Sequence, residues 1–192
     1  MIDGTVHWFG TTGLANGLAV LGDEQTWTSW DHMTGEAFDG PLKGHALERY
    51  AIRHTTAAAL RSEDPDLRIQ VSDYRSLGMT ASALVGRKKI GTKGFIPPTF
   101  YASMSSRIDP RLPKLTNGLG VLVGDEARYY PMAALAEPVH DPWQGRVLTV
   151  SLGPIDGVPR AVWADGGEAP MQLFSRWYGF SFNWPGCAIH GA

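Results

Sequence analysis

Apolar and polar side chains alternate along this chain in short runs, most of them cut by glycine and proline. TVHWF at 5–9 is rich in β-branched and aromatic residues and predicts a strand. LAVL at 18–21 predicts a second. In TWTSW at 26–30, a strand would set Trp27 and Ser29 on one face and Thr28 and Trp30 on the other. Asp39-Gly40-Pro41 then marks a turn, so the N-terminal part reads as a meander of short strands.

Residues 55–64 carry the first helix signal: a threonine positioned to cap, three alanines that favour propagation, and Pro65 as the stop. Leu67, Ile69 and Val71 alternate with Arg68, Gln70 and Ser72, the period of a half-buried strand. Between 73 and 113 no period is sustained, which predicts a long functional or partner-contacting loop. Two extended runs, 119–123 and 126–131, are joined by Gly124-Asp125, a hairpin signal because glycine supplies the positive dihedral that tight turns need. Strands are expected at 146–152 and 161–164, with a turn at Asp165-Gly166-Gly167. Leu173, Trp177 and Phe180 are spaced as on a helix over 172–182, with a strand as the alternative for so aromatic a segment. Together these elements predict a single α+β domain over 1–192, mainly antiparallel hairpins and meander, with one or two short helices and an irregular region at about 73–113.

Composition agrees with short strands and tight turns: 192 residues include 23 Gly, 13 Pro and 7 Trp, with only 19% charged. A formal net charge of −2 gives no global field to hold a nucleic-acid backbone, so no nucleic-acid partner is expected. The lone Cys187 rules out an intrachain disulfide and leaves the redox compartment open. No apolar run is long enough to span a membrane. MIDGTVHWFG lacks the basic start and apolar stretch of a signal peptide, so the expectation is a native start on a protein that stays inside, or a start left by processing or truncation.

For chemistry, the densest stretch is 27–47, WTSWDHMTGEAFDGPLKGHAL. Its Trp30, Asp31, His32 and Glu36 are the candidates for a small-molecule pocket. Glu36 and Glu168 each sit in a Gly-Glu-Ala triplet, and Asp125-Glu126-Ala127 is a near copy. Such carboxylates could converge on a glycosidase-like pair, but turn chemistry is the simpler reading. A metal site would draw on His7, His32, His140, His190 and Cys187, with Cys187 and His190 the one local pair where a closed zinc site wants four ligands. Ser29, Ser151 and Ser175 lack a nucleophile-elbow context. Arg87, Lys88, Lys89 and Lys93 among glycines suit a solvated loop or a phosphate. No cofactor loop is present, and no cofactor is expected. Trp27, Trp30, Trp143, Trp163, Trp177 and Trp184 should mostly be core, with Arg176-Trp177-Tyr178 the cluster best suited to an interface.

The order FGTTGLANGLAVL, TWTSWDHMTGEAFDGPLKGHALE, the alanine-rich helix ending in DPDLRI, and GVLVGDEARYYPMAAL resembles an uncharacterised prokaryotic family, domain of unknown function 3179. Its most specific pieces are 30–37 and 124–131, and the resemblance extends over 3–72 and 115–151. The resemblance implies architecture and no activity. Relatives in that family are often exported, typically carry a Cys-Pro-x-Cys-like stretch upstream, and more often have glutamine at the position of His32. This chain has no such cysteine pair. With no assembled acid, base and nucleophile, the expected function is a non-catalytic binding or accessory subunit with a protein partner or a second copy. The alternative is a small metalloprotein, or an enzyme with a polar pocket around residues 30–36.

Overall fold

The computed structural model describes residues 1–70 and 101–191 apart from Gly17, Arg49 and Ala51. The chain is α+β and mainly antiparallel. Among the described residues its strands form three sheets. The N-terminal sheet has the order β1 (Phe9–Ala15), β2 (Leu18–Asp23), β3 (Ser29–Asp31), β4 (Ala37–Asp39). The central sheet is ordered β10 (Met171–Arg176), β5 (Asn117–Val123), β6 (Glu126–Pro131), β11 (Ala188–Ile189), and only the β6–β11 pairing is parallel. β7 (Val139–Trp143), β8 (Arg146–Leu152) and β9 (Pro159–Trp163) form the third.

The β5–β6 hairpin turns at Gly124, whose φ of +57° is the left-handed conformation that the sequence called for. One face of this hairpin lays Leu119, Val121 and Tyr130 against Trp143, Leu148, Val150, Ala161 and Trp163 of the third sheet. Burying that set between two sheets is the largest apolar term holding these elements together. On the opposite face, Tyr129 packs with Trp177, Phe180 and Cys187.

The segment 172–182 is both things at once. Met171–Arg176 is strand β10, and Trp177–Asn183 is helix α2. Pairing with β5 wins over helical spacing up to Arg176, helped by the Gln172 amide, which bonds the Ala161 N–H and C=O at 2.9 and 3.0 Å. From Trp177 the aromatic spacing takes over, and Trp177 and Phe180 are both fully buried. Phe180 lies directly over Gly120, where an added Cβ would come within 1.9 Å of its ring.

Helix α1 (Ala57–Glu63) is where it was expected, with Thr56 as N-cap accepting from the Ala59 N–H at 3.2 Å and Pro65 just beyond its end. Thr55 is anchored to the Asp156 carboxylate at 2.6 Å. Two expected strands are corrected. Residues 5–9 are not a strand; only Phe9 joins β1, which continues through the glycine-rich GTTGLA because β2 supplies a pairing partner and a bulge between Thr11 and Gly13 absorbs the misfit. Leu67 and Ile69 are exposed and outside any strand, while Val71 lies outside the described residues. Of the long loop expected at 73–113, residues 73–100 also lie outside them, together with Arg87, Lys88, Lys89 and Lys93.

Candidate functional site

The stretch 27–47 folds as one unit with the N-terminal sheet. Past the turn after β4, the chain comes back alongside it: Ala37 N–H donates to His45 C=O and Leu47 N–H to Gly35 C=O, both at 2.9 Å. At the end of β2, where the chain turns toward β3, lies Asp23, 1% exposed. Its carboxylate accepts from the Thr26 N–H (2.7 Å), the Thr26 hydroxyl (2.7 Å), the Trp30 indole N–H (3.1 Å) and Nδ1 of His7 (3.0 Å). Burial alone would push this carboxyl up; the bonds from Thr26, Trp30 and His7 hold it well below the ordinary carboxylate range.

That hub fixes the turn between β2 and β3, and the turn carries Trp27 outward. Trp27 is 81% exposed, its φ is +58°, and its N–H donates to Asp23 C=O at 3.0 Å. Trp8 is clamped to the same turn through its N–H on the Gln25 amide oxygen (2.8 Å) and its C=O on the Glu24 N–H (2.9 Å), and it too is exposed, at 65%. Val6, two residues before Trp8, is likewise exposed. Residues 1–42 contain the acids Asp3, Asp23, Glu24, Asp31, Glu36 and Asp39 and neither lysine nor arginine, but Asp23 is buried in the hub and Lys43 follows Leu42, whose N–H bonds the Thr28 hydroxyl beside Trp27 at 3.2 Å.

At the other end of the sheet the β1–β2 and β3–β4 turns meet α2 across a cleft of about 440 Å³ lined by Leu18, Asp31, Glu36, Phe38, Phe182 and Asn183 among others. Gly179 lets the elements approach: a Cβ there would sit 3.0 Å from Leu18 Cδ2. Of the four pocket candidates, the structure brings Asp31 and Glu36 to this cleft and withholds the other two. Trp30 is fully buried and serves Asp23 instead. His32 is exposed and bonds the Ala19 carbonyl through Nδ1 at 2.8 Å. Asp31 Oδ1 accepts from the N–H groups of Met33 (2.7 Å) and Thr34 (3.1 Å), an Asx turn that shapes the rim.

Of the interface trio, the central residue lies inside the fold. Trp177 is fully buried against Tyr129, its indole N–H bonded to Asp109 C=O at 2.9 Å and the Arg111 guanidinium 5.4 Å from its ring. Arg176 and Tyr178, on either side, are half-buried. Among the named tryptophans Trp27 departs from the core expectation, whereas Trp30, Trp143, Trp163 and Trp177 are buried.

The metal candidates each have other surroundings, and only Cys187 and His190, at the two ends of β11, are neighbours along the chain. Cys187 is buried, and burial pushes its thiol up. The His190 ring stacks on Tyr130, with centroids 5.5 Å apart. His7 is on Asp23 and His140 on the Thr149 hydroxyl. No group of three or more His, Cys, Asp or Glu among the described residues is placed to hold a metal ion. Glu126 accepts from the Trp143 indole at 2.8 Å and lines a second cleft, of about 470 Å³, with Arg128 and Trp184; Glu36 lines the first, and Glu168 lies in neither. Across the sheet interface Arg128 and the Tyr130 hydroxyl both bond Asp141, at 2.7 and 2.5 Å. Against the upward push of burial, the two bonds hold the Asp141 carboxyl low.

Asp23, Trp8, Phe38, Phe182 and Asn183 were missed from sequence. Asp23 had a readable signal, an aspartate three residues before a threonine in a polar turn. The others had none, because Phe182 and Asn183 meet the N-terminal sheet only through tertiary packing. No helix among the described residues is long and apolar enough to cross a membrane. No curated protein and no solved structure matches the chain. The two segments that carry the resemblance, 30–37 and 124–131, build the Trp30 turn and the central hairpin, and a family model matches residues 1–153: the chain belongs to the family described as protein of unknown function (DUF3179).

Proposed function

We propose that this chain is a non-catalytic binding module that docks a partner protein on the Trp8–Trp27 end of its N-terminal sheet. The observation that carries the reading is Trp27. A large indole stands in water on a backbone conformation that is uncommon for a residue with a side chain, and a buried hydrogen-bonded carboxylate holds the turn beneath it. Exposed, rigidly held tryptophans are what interface hot spots are made of. The exposed side chains of Trp8, Trp27 and Val6 favour a partner whose contacting surface is apolar.

The test is co-purification from the native source, comparing wild type, Trp27→Ala and Val162→Ala by quantitative mass spectrometry. Val162 is an exposed apolar residue on the third sheet, away from Trp27. A protein retained by wild type and Val162→Ala, and weakened about 30-fold or more by Trp27→Ala, is the expected result. Equal retention by all three, or a dimer in light scattering that Trp27→Ala dissociates, would contradict it.

A further inference from the structure

We infer that the cleft at the opposite end of the N-terminal sheet binds a small organic cation, an amine or guanidinium on a short apolar stem. This site is separate from the Trp8–Trp27 surface and does not depend on it. Its volume of about 440 Å³ falls in the range of small-ligand sites. Two carboxylates, Asp31 and Glu36, line it, and none of its lining residues is basic. Asp31 spends Oδ1 on its own turn, which leaves Oδ2 without a partner among the described residues, and the Glu36 carboxylate likewise has none. Two negative charges in one concavity attract and concentrate cations.

The walls choose among cations. Phe38 and Phe182 bring aromatic side chains to the lining, which suit an ammonium or guanidinium group, and Leu18 and Ala15 are there for an apolar stem. A bare divalent metal lacks its ligands, since no three metal-binding side chains are gathered there. An anion would meet two uncompensated carboxylates. The site is also firmly built: Asn16 N–H bonds the Ser103 carbonyl at 2.7 Å, its side-chain oxygen accepts from the Ser105 N–H at 2.9 Å, and Asn183 is fixed to Gly179 C=O at 3.1 Å.

Isothermal titration with agmatine and with 1,5-diaminopentane tests this, with 1-pentanol and calcium chloride as comparisons. The expected result is saturable binding of both cations, weakened by added salt, and none of pentanol. Glu36→Gln, at an exposed side chain, should weaken it about fivefold or more, and Phe182→Leu, which keeps an apolar wall and removes the ring, about threefold. Failure of both cations to saturate, equal binding of pentanol, stoichiometric displacement by calcium, or unchanged affinity in both variants that circular dichroism shows to be folded would each overturn the inference.

Discussion

At the scale of single residues, the molecule turns on Asp23. Four donor atoms converge on one buried carboxylate, so removing it leaves the Trp30 indole and the Thr26 groups short of an acceptor inside the sheet. Asp23→Ala is expected to cost about 3 kcal/mol, measured as a fall in the urea midpoint. The pH dependence follows from the same contacts. Because the folded carboxyl is held below its unfolded value, about 3.9, its contribution is fully present above that pH and drains away as pH falls beneath it. Asp141, also held low, adds to the loss in the same direction. Urea unfolding at pH 7 and pH 3 should therefore show a smaller acid-induced loss in Asp23→Ala than in wild type. Asp23 was legible as a turn residue and illegible as a hub, since His7 reaches it from sixteen positions away. Trp27 was read as one of a mostly buried set, because composition prices an indole by its apolar area and says nothing of a positive φ.

At the scale of elements, close packing decides where sequence periodicity was ambiguous. The α1 cap, the β5–β6 hairpin and β8 were legible because their signals are local: Thr56 before alanines, glycine between two apolar runs, alternation over 146–152. The β10–α2 junction was not, since the same aromatic spacing serves a strand and a helix until β5 is known to lie alongside. Gly120 shows how tight that arrangement is. An added methyl would collide with the Phe180 ring at 1.9 Å, and Phe180 is fully buried with no free direction to move. Gly120→Ala is thus expected to cost about 3 kcal/mol through overpacking. Gly10→Ala, in β1 with open space around it, should cost less than about 1 kcal/mol. Thermal unfolding of the two variants side by side checks the contrast.

At the scale of the whole molecule, the family match ends at residue 153, yet β9 closes the third sheet and β10 and β11 flank the central one. α2, from the same C-terminal stretch, forms one wall of the cation cleft. The acid-only composition of residues 1–42 likewise sets the N-terminal sheet apart from a chain whose net charge is only −2. A docking role for that sheet predicts where solvent should be excluded in a complex. Hydroxyl-radical footprinting of the purified chain, and of the same chain in its native-source complex, reads this directly at the two indoles. The expected pattern is high reactivity at Trp8 and Trp27 in the free chain and strong protection of both in the complex, with Val147 and Val162 of the third sheet equally reactive in each. Unchanged reactivity of Trp8 and Trp27, with protection appearing on the third sheet instead, would contradict it.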